Sequence, residues 1–168
     1  LVTPFNADGE VAWDDVERHI DDLIVNGADG IVVTGTTGET STLTDAEKVK
    51  LVEVGKKVAA GRAKIIMGGP SNETAHAIEL VKKSEKAGAD AIMIVTPYYN
   101  KPTQAGVLTH FRMVADASDL PVIIYDIPGR SGIPVKYETF LRLAKHPNIL
   151  AVKDAKGDFS EVSRVINQ

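Results

Sequence analysis

The sequence contains no cysteine among its 168 residues, which excludes a disulfide framework, a thiolate zinc site and a cysteine nucleophile together. It has no basic block. Its 19 Lys and Arg and 23 Asp and Glu are interleaved and give a net charge of -4, a poor match for nucleic acid or an anionic membrane. No apolar run approaches the roughly 18 residues needed to cross a bilayer. The opening LVTPFNADGE lacks the basic and apolar regions of a secretion signal, so a cytoplasmic protein is expected. The four histidines, His19, His76, His110 and His146, never stand three or four apart and have no acidic cluster beside them, so metal catalysis is not expected. Neither a dinucleotide fingerprint nor a P-loop spacing occurs, and no cofactor is implied.

What is present is a repeat. Short apolar runs at Ile31–Val33, Ile65–Met67, Ile92–Val95, Val122–Tyr125 and Ile149–Val152 start 27 to 34 residues apart, the length of one strand plus one helix. Gly27-Ala28-Asp29-Gly30-Ile31-Val32-Val33-Thr34 is echoed by Gly88-Ala89-Asp90-Ala91-Ile92-Met93-Ile94-Val95-Thr96: a glycine ends a helix and a buried strand follows. Thr44 with Glu47 and Asp158 with Glu161 read as capping boxes, and Ser71 and Thr103 as N-caps. Val16, Ile20, Leu23 and Ile24 share one face of a helix that precedes the first full strand. Unbroken apolar strands between helices imply a parallel sheet covered on both faces, either doubly wound or a barrel. Candidate polar residues follow each strand's C-terminal end, the shared catalytic face of a TIM (β/α)8 barrel, so the expectation is α/β, a (β/α)8 barrel. Leu1–Thr3 read as the tail of a strand already under way, and Phe159–Gln168 as a helical pattern without a C-cap. Residues 1–168 are thus expected to be the N-terminal part of one barrel domain, about strands 1 to 6, with the last strands and C-terminal helices absent.

Lys153 ends the run Ile149-Leu150-Ala151-Val152, and strict alternation would put Ile149, Ala151 and Lys153 on one side, inside the barrel. An ordinary lysine is neutral in only about one molecule in 2,500 at pH 7, and desolvation would make the amine a nucleophile. Alone, such a lysine could equally snorkel at a strand end. Gly35-Thr36-Thr37-Gly38-Glu39 offers hydroxyls and backbone N–H groups suited to a carboxylate, or is an ordinary glycine turn. Tyr99 and Tyr125, both at strand ends, could relay protons with Thr36 or pack beneath loops. Arg130, in Pro128-Gly129-Arg130-Ser131-Gly132, could clamp a second carboxylate or lie solvated on the surface.

Five motifs in order, Leu1-Val2-Thr3-Pro4-Phe5, Gly35-Thr36-Thr37-Gly38-Glu39, Tyr98-Tyr99-Asn100-Lys101-Pro102-Thr103-Gln104, Tyr125 with Pro128-Gly129-Arg130-Ser131-Gly132, and Val152-Lys153-Asp154, resemble the pyruvate-dependent class I aldolases, and among them the dihydrodipicolinate synthase family. The resemblance implies a lyase in which Lys153 forms an imine with pyruvate, with Tyr125, Thr36 and Tyr99 as proton relay. Tyr99 would reach across a homodimer or homotetramer into a neighbouring site. Thr37 would hold the pyruvate carboxylate, and Arg130 that of aspartate semialdehyde, on the diaminopimelate route to lysine. N-acetylneuraminate lyases and 2-keto-3-deoxy sugar-acid aldolases share the lysine and tyrosine, but lyases typically carry Gly-Ser-Thr-Gly-Glu and lack the arginine. Thr36 and Arg130 therefore favour the synthase. A non-catalytic half-barrel that binds a small molecule is the reading of a different class. Two departures stand out: Asp126 where relatives commonly have Asn, and Asp154-Ala155-Lys156-Gly157 for Glu-Ala-Ser/Thr-Gly.

Overall fold

In the computed structural model, which describes residues 1–167, five strands alternate with helices. In chain order these are α1 (Trp13–Val25), β1 (Gly30–Val33), α2 (Asp45–Ala59), β2 (Lys64–Gly68), α3 (Thr74–Lys86), β3 (Ala91–Val95) and α4 (Gln104–Ala115). They continue with β4 (Val122–Asp126), the short α5 (Pro128–Ser131), α6 (Tyr137–Leu143), β5 (Ile149–Asp154) and α7 (Phe159–Ile166); a 3-10 turn spans Thr36–Gly38.

Local chemistry sets most of these boundaries. Thr44 caps α2 in a reciprocal capping box with Glu47, and Thr103 Oγ1 accepts from Gly106 N–H at the start of α4, satisfying amides that have no intrahelical partner. The expected cap at Ser71 is displaced: Glu73 caps α3, accepting from the N–H groups of Ala75 and His76, while Ser71 Oγ accepts from Glu73 N–H one step earlier. A longer acidic side chain reaches both orphan amides, which Ser71 at its distance cannot. Asp158 caps α7 through Ser160 and Glu161 N–H, but the Glu161 carboxylate turns to Lys156, so the box is not reciprocal. Asn167 closes α7 through its side chain and its N–H, both donating to the Ser163 carbonyl. This supplies a C-cap where none was expected; Gln168 lies outside the described residues.

The sequence repeat is a structural repeat. Gly27 and Gly88 adopt φ +98° and +91°, the left-handed region open to glycine. Each releases its helix through the same pair of bonds: Gly27 N–H to Ile24 O and Ala28 N–H to Leu23 O, then Gly88 N–H to Glu85 O and Ala89 N–H to Ser84 O. Each turn feeds a strand, with Lys64 N–H on Asp29 O and Asp90 N–H on Ile65 O.

The strands are all parallel and lie in the order β1-β2-β3-β4-β5. Neighbouring helices touch in sequence, α1 on α2, α2 on α3, α3 on α4, α4 on α6 and α6 on α7. A doubly wound sheet reverses strand order at a switch point and places helices on both faces. An unreversed order under one helical layer is instead a succession of (β/α)8 barrel units, so the chain is an incomplete barrel. Only the helix-facing side is fully covered. Ile31, Val33, Ile65, Met67, Ile92, Ile94, Val122 and Ile124 pack with Ile20, Leu51, Leu80, Phe111 and Leu143 from the helices, each such burial contributing roughly 1.5 to 3 kcal/mol. Residues between them on the strands, Val32, Ile66, Ile123 and Ala151, face the other side and remain partly or fully exposed. The expected strand tail at Leu1–Thr3 forms no strand among the described residues. Phe5 bridges Val11, and Thr3 Oγ1 donates to the Gly38 carbonyl at 2.8 Å. No described helix is long and apolar enough to cross a membrane.

One buried group ties this packing to pH. His110 on α4 faces α3, its Nδ1 2.9 Å from Thr74 Oγ1 and its Nε2 without a partner among the described residues. Burial holds its pKa down to about 4, against the pull of Glu73. The folded ring is therefore neutral while the unfolded chain takes up a proton near its ordinary value of 6.5. Stability is complete above about pH 6.5 and falls as pH drops toward 4, by roughly 3 kcal/mol from this group alone. In urea unfolding of the full-length protein, His110→Gln, which keeps an amide near Thr74 but does not titrate, should lose that part of the acid slope. A stability difference from wild type that stays constant between about pH 7 and pH 4 would contradict the assignment.

Candidate active site

The C-terminal ends of β1, β3, β4 and β5 and the loops that leave them converge on one side of the sheet, and their geometry begins with the turn after β1. Thr34 is buried at φ +57°, an uncommon conformation for a β-branched residue. It is held by two bonds to Gly68, Oγ1 donating to the carbonyl at 2.8 Å and accepting from N–H at 3.1 Å. A Cβ at Gly68 would meet Val32 Cγ1 at 2.9 Å and the Val33 carbonyl at 3.1 Å, so only glycine lets β2 approach this closely. The chain then folds into the 3-10 turn that carries Thr36 and Thr37. The N–H groups of Gly38, Glu39 and Thr40 are taken up within the turn, leaving those of Thr36 and Thr37 at its open start.

A cavity of about 210 Å³ opens beside this turn, and Thr36, Tyr125, Arg130 and Tyr98 are all on its wall. Tyr125 is buried at the end of β4. Arg130 rides on α5, which Pro128 starts at its first position, a favoured place for proline. Ser131 locks the turn with one hydroxyl proton shared between the Ile127 and Ile133 carbonyls, at 3.0 and 2.9 Å. Thr37 is exposed and lies off the cavity wall. Tyr99 is 89% exposed and points away, at φ +70°. Its loop is seated by Gln104, whose side chain bonds the Pro134 carbonyl, Lys136 N–H and Thr139 Oγ1. The hydroxyls of Thr36, Tyr99 and Tyr125 make no hydrogen bonds to one another among the described residues.

Lys153 pairs with Tyr125 in the β4–β5 register, and its Nζ stands 4.1 Å from the centre of the Tyr125 ring. The expected alternation fails at one point. Val122 pairs with Ile149 but Ile123 pairs with Ala151, so Leu150 is an extra, bulged residue. Ile149 consequently joins the helix-facing core, whereas Ala151 and Lys153 share the opposite side with Ile123 and Tyr125. The amine was also expected among apolar neighbours; in this chain Lys153 is exposed, because β5 pairs only on its β4 side among the described residues.

Beside this pair lies a charged cluster that sequence reasoning set aside. Asp126 and the stretch Asp154-Ala155-Lys156-Gly157, the two departures, are in contact through Lys156, whose Nζ is 3.2 Å from Asp126 Oδ2, 3.6 Å from Asp154 Oδ2 and 2.7 Å from Glu161 Oε2. Asp126 is fully buried, and Val135 N–H reaches both its carboxylate oxygens at 3.1 Å. Burial raises the Asp126 pKa against the pull of Val135 N–H and Lys156. Burial also works against the Lys156 ammonium, but the hydrogen bond to Glu161 and the charge of Asp126 outweigh it and hold its pKa above the usual lysine value. Lys156 thus sits as a cation among three carboxylates. Opposite charges standing just after the apolar runs of adjacent strands, Asp126 and Lys156, were the signal that could have found it. Tyr98 was likewise within a quoted motif but not assigned to the site.

Comparison with known proteins places the chain. The Dihydrodipicolinate synthetase family model matches residues 1–168. The chain is 51% identical to 4-hydroxy-tetrahydrodipicolinate synthase of Acidothermus cellulolyticus over 166 residues, covering 99% of this chain and 54% of that protein. It is 49% identical to 4-hydroxy-tetrahydrodipicolinate synthase 2 of Streptomyces coelicolor, covering 99% and 56%. The crystal structure of dihydrodipicolinate synthase DapA-2 from Bacillus anthracis superposes with a TM-score of 0.97 at 42% identity, covering 99% of this chain and 57% of that one. The enzyme from Acinetobacter baumannii, solved in complex with pyruvate, superposes at 0.95 with 43% identity, covering 99% and 57%. The chain thus spans just over half the length of the relatives it matches. With one family model matched from end to end and near 50% identity sustained over almost every residue, the chain belongs to the dihydrodipicolinate synthetase family.

Proposed function

We propose that residues 1–168 are the N-terminal part of a (β/α)8 barrel domain and carry the reacting groups of a cytoplasmic lyase that condenses pyruvate with aspartate semialdehyde. The observation that carries this reading is the Lys153–Tyr125 contact at 4.1 Å beside a cavity walled by Thr36 and Arg130. The Lys153 amine attacks the ketone carbon of pyruvate, and loss of water leaves an imine. Protons move through Tyr125, Thr36 and Tyr99. The imine loses a methyl proton to become an enamine, whose carbon attacks the aldehyde. The amine of the second substrate then displaces Lys153 as the ring closes. Thr37, with the N–H groups at the start of its turn, holds the pyruvate carboxylate. The pyruvate complex of the Acinetobacter relative supports pyruvate as first substrate, and Thr36 with Arg130 supports the aldehyde acid as the second.

Borohydride reduction of the full-length protein in pyruvate, followed by peptide mapping, should place the adduct on Lys153, and Lys153→Ala should abolish it; an adduct on another lysine would remove the assignment. Arg130→Ala should lower kcat/KM for the aldehyde by roughly 10- to 150-fold, the loss of a charge-assisted bond of about 1.5 to 3 kcal/mol, while the rate of imine formation stays within about threefold of wild type. Equal losses in both steps would argue against a partner on the second substrate.

Tyr99 faces outward in its own chain, which supports action across a homodimer or homotetramer. Mixing inactive Tyr99→Phe with inactive Lys153→Ala should then restore about a quarter of wild-type activity after random subunit exchange, because one of the two sites in each hybrid dimer is complete. No recovery despite verified exchange would mean that the tyrosine works within its own subunit.

A further inference from the structure

Lys156 is the most enclosed lysine cation near the site, its side chain 8% exposed, and the reaction proposed above makes no use of it. It follows Lys153 by three residues, yet it cannot meet a substrate in the cavity. Asp126 and Asp154 form a register pair one step beyond Tyr125 and Lys153, so strand alternation sends the two carboxylates to the opposite side of the sheet. Lys156 joins them there, over the ring of Phe140 from α6 at 5.3 Å.

We propose that Lys156 is a positioning residue that clamps the ends of β4 and β5 from behind, so that Tyr125 and Lys153 meet in front. The clamp has two parts. The ammonium bridges Asp126 on β4 and Asp154 on β5, and reaches Glu161 on α7. The backbone closes the same junction, with Ala155 N–H on the Asp126 carbonyl at 2.9 Å and Lys156 N–H on Asp154 Oδ1 at 2.9 Å. The bulge at Leu150 interrupts the ladder at the start of β5, and the clamp sits at the other end of the four pairs that follow it, Ile123–Ala151 to Asp126–Asp154. Removing the cation leaves the fully buried Asp126 without its counter-charge, so the carboxyl takes up a proton or the strand ends part to admit water, and either way the bridge from β4 to β5 is lost. A displacement of about 1 Å at the reacting pair is enough to slow a reaction about 100-fold.

This inference rests on the proposed reaction at Lys153, and the test separates the two. Imine formation is followed in the full-length protein by time-resolved borohydride trapping with pyruvate, at a temperature where circular dichroism shows each variant folded. Lys156→Met should slow trapping at saturating pyruvate at least 10-fold while the half-saturating pyruvate concentration changes by less than about threefold. Asp126→Asn leaves the cation with two carboxylates and is the milder variant, decisive if Lys156→Met does not fold; it should slow trapping about three- to tenfold. Wild-type trapping rates in a folded Lys156→Met, or in Asp126→Asn, would show that the cluster only stabilises the fold and would overturn the proposal while leaving the reaction intact. A wild-type protein with no adduct on Lys153 would overturn both.

Discussion

The parallel register is the constraint on which the other features of this chain depend. In a parallel pair, residues opposite each other point the same way, so the whole sheet sorts its side chains onto two tracks. One track, from Ile31 and Val33 through Ile65, Met67, Ile92 and Ile94 to Val122 and Ile124, is the core beneath the helices. The other carries Met93 opposite Ile123 and Val95 opposite Tyr125, and ends on Lys153 opposite Tyr125. A slip of one residue exchanges the tracks of the strand that slips: in β5 it would turn Lys153 toward the helices, and in β3 it would turn Ile92 and Ile94 out of the core. The apolar core therefore enforces the geometry of the polar site, since core and site residues alternate along the same strands.

Register also explains what could be read from the sequence. All five strands were legible because buried parallel strands are short unbroken apolar runs, and the turns at Gly27 and Gly88 repeat as letters because the same turn repeats as structure. Thr44 and Thr103 were legible as caps because a single side chain and its third neighbour decide them. The bulge at Leu150 was not, since nothing in Ile149-Leu150-Ala151-Val152 marks which residue is left out of the ladder. Nor was the cap at Glu73, where two good candidates stand two residues apart and geometry alone chooses.

In the site, the residue types were legible and their directions were not. Thr36, Tyr125 and Arg130 reach one cavity from a 3-10 turn, a strand end and a short helix, while Tyr99, adjacent in sequence to the cavity residue Tyr98, faces solvent. A left-handed backbone at Tyr99 and Lys101 makes that difference, and a tyrosine carries no sequence mark of such a conformation. The Asp126–Lys156 pair is the converse case. Each residue alone read as a departure from its motif, and only the fold, bringing positions 30 apart to 3.2 Å, shows that one charge answers the other.

The unreversed strand order has a consequence for biosynthesis. Every strand pairs with the strand just before or after it in the chain, so each unit leaving the ribosome finds its partner already made, and assembly can follow synthesis from the N-terminus. The groups around the cavity then arrive in sequence, the Thr36 turn with β1 and β2, Tyr125 only with β4. The amine comes last, with β5. A nascent chain can thus have an ordered cavity wall well before Lys153 stands beside it, so the wall's shape is set by units that fold without the lysine's strand.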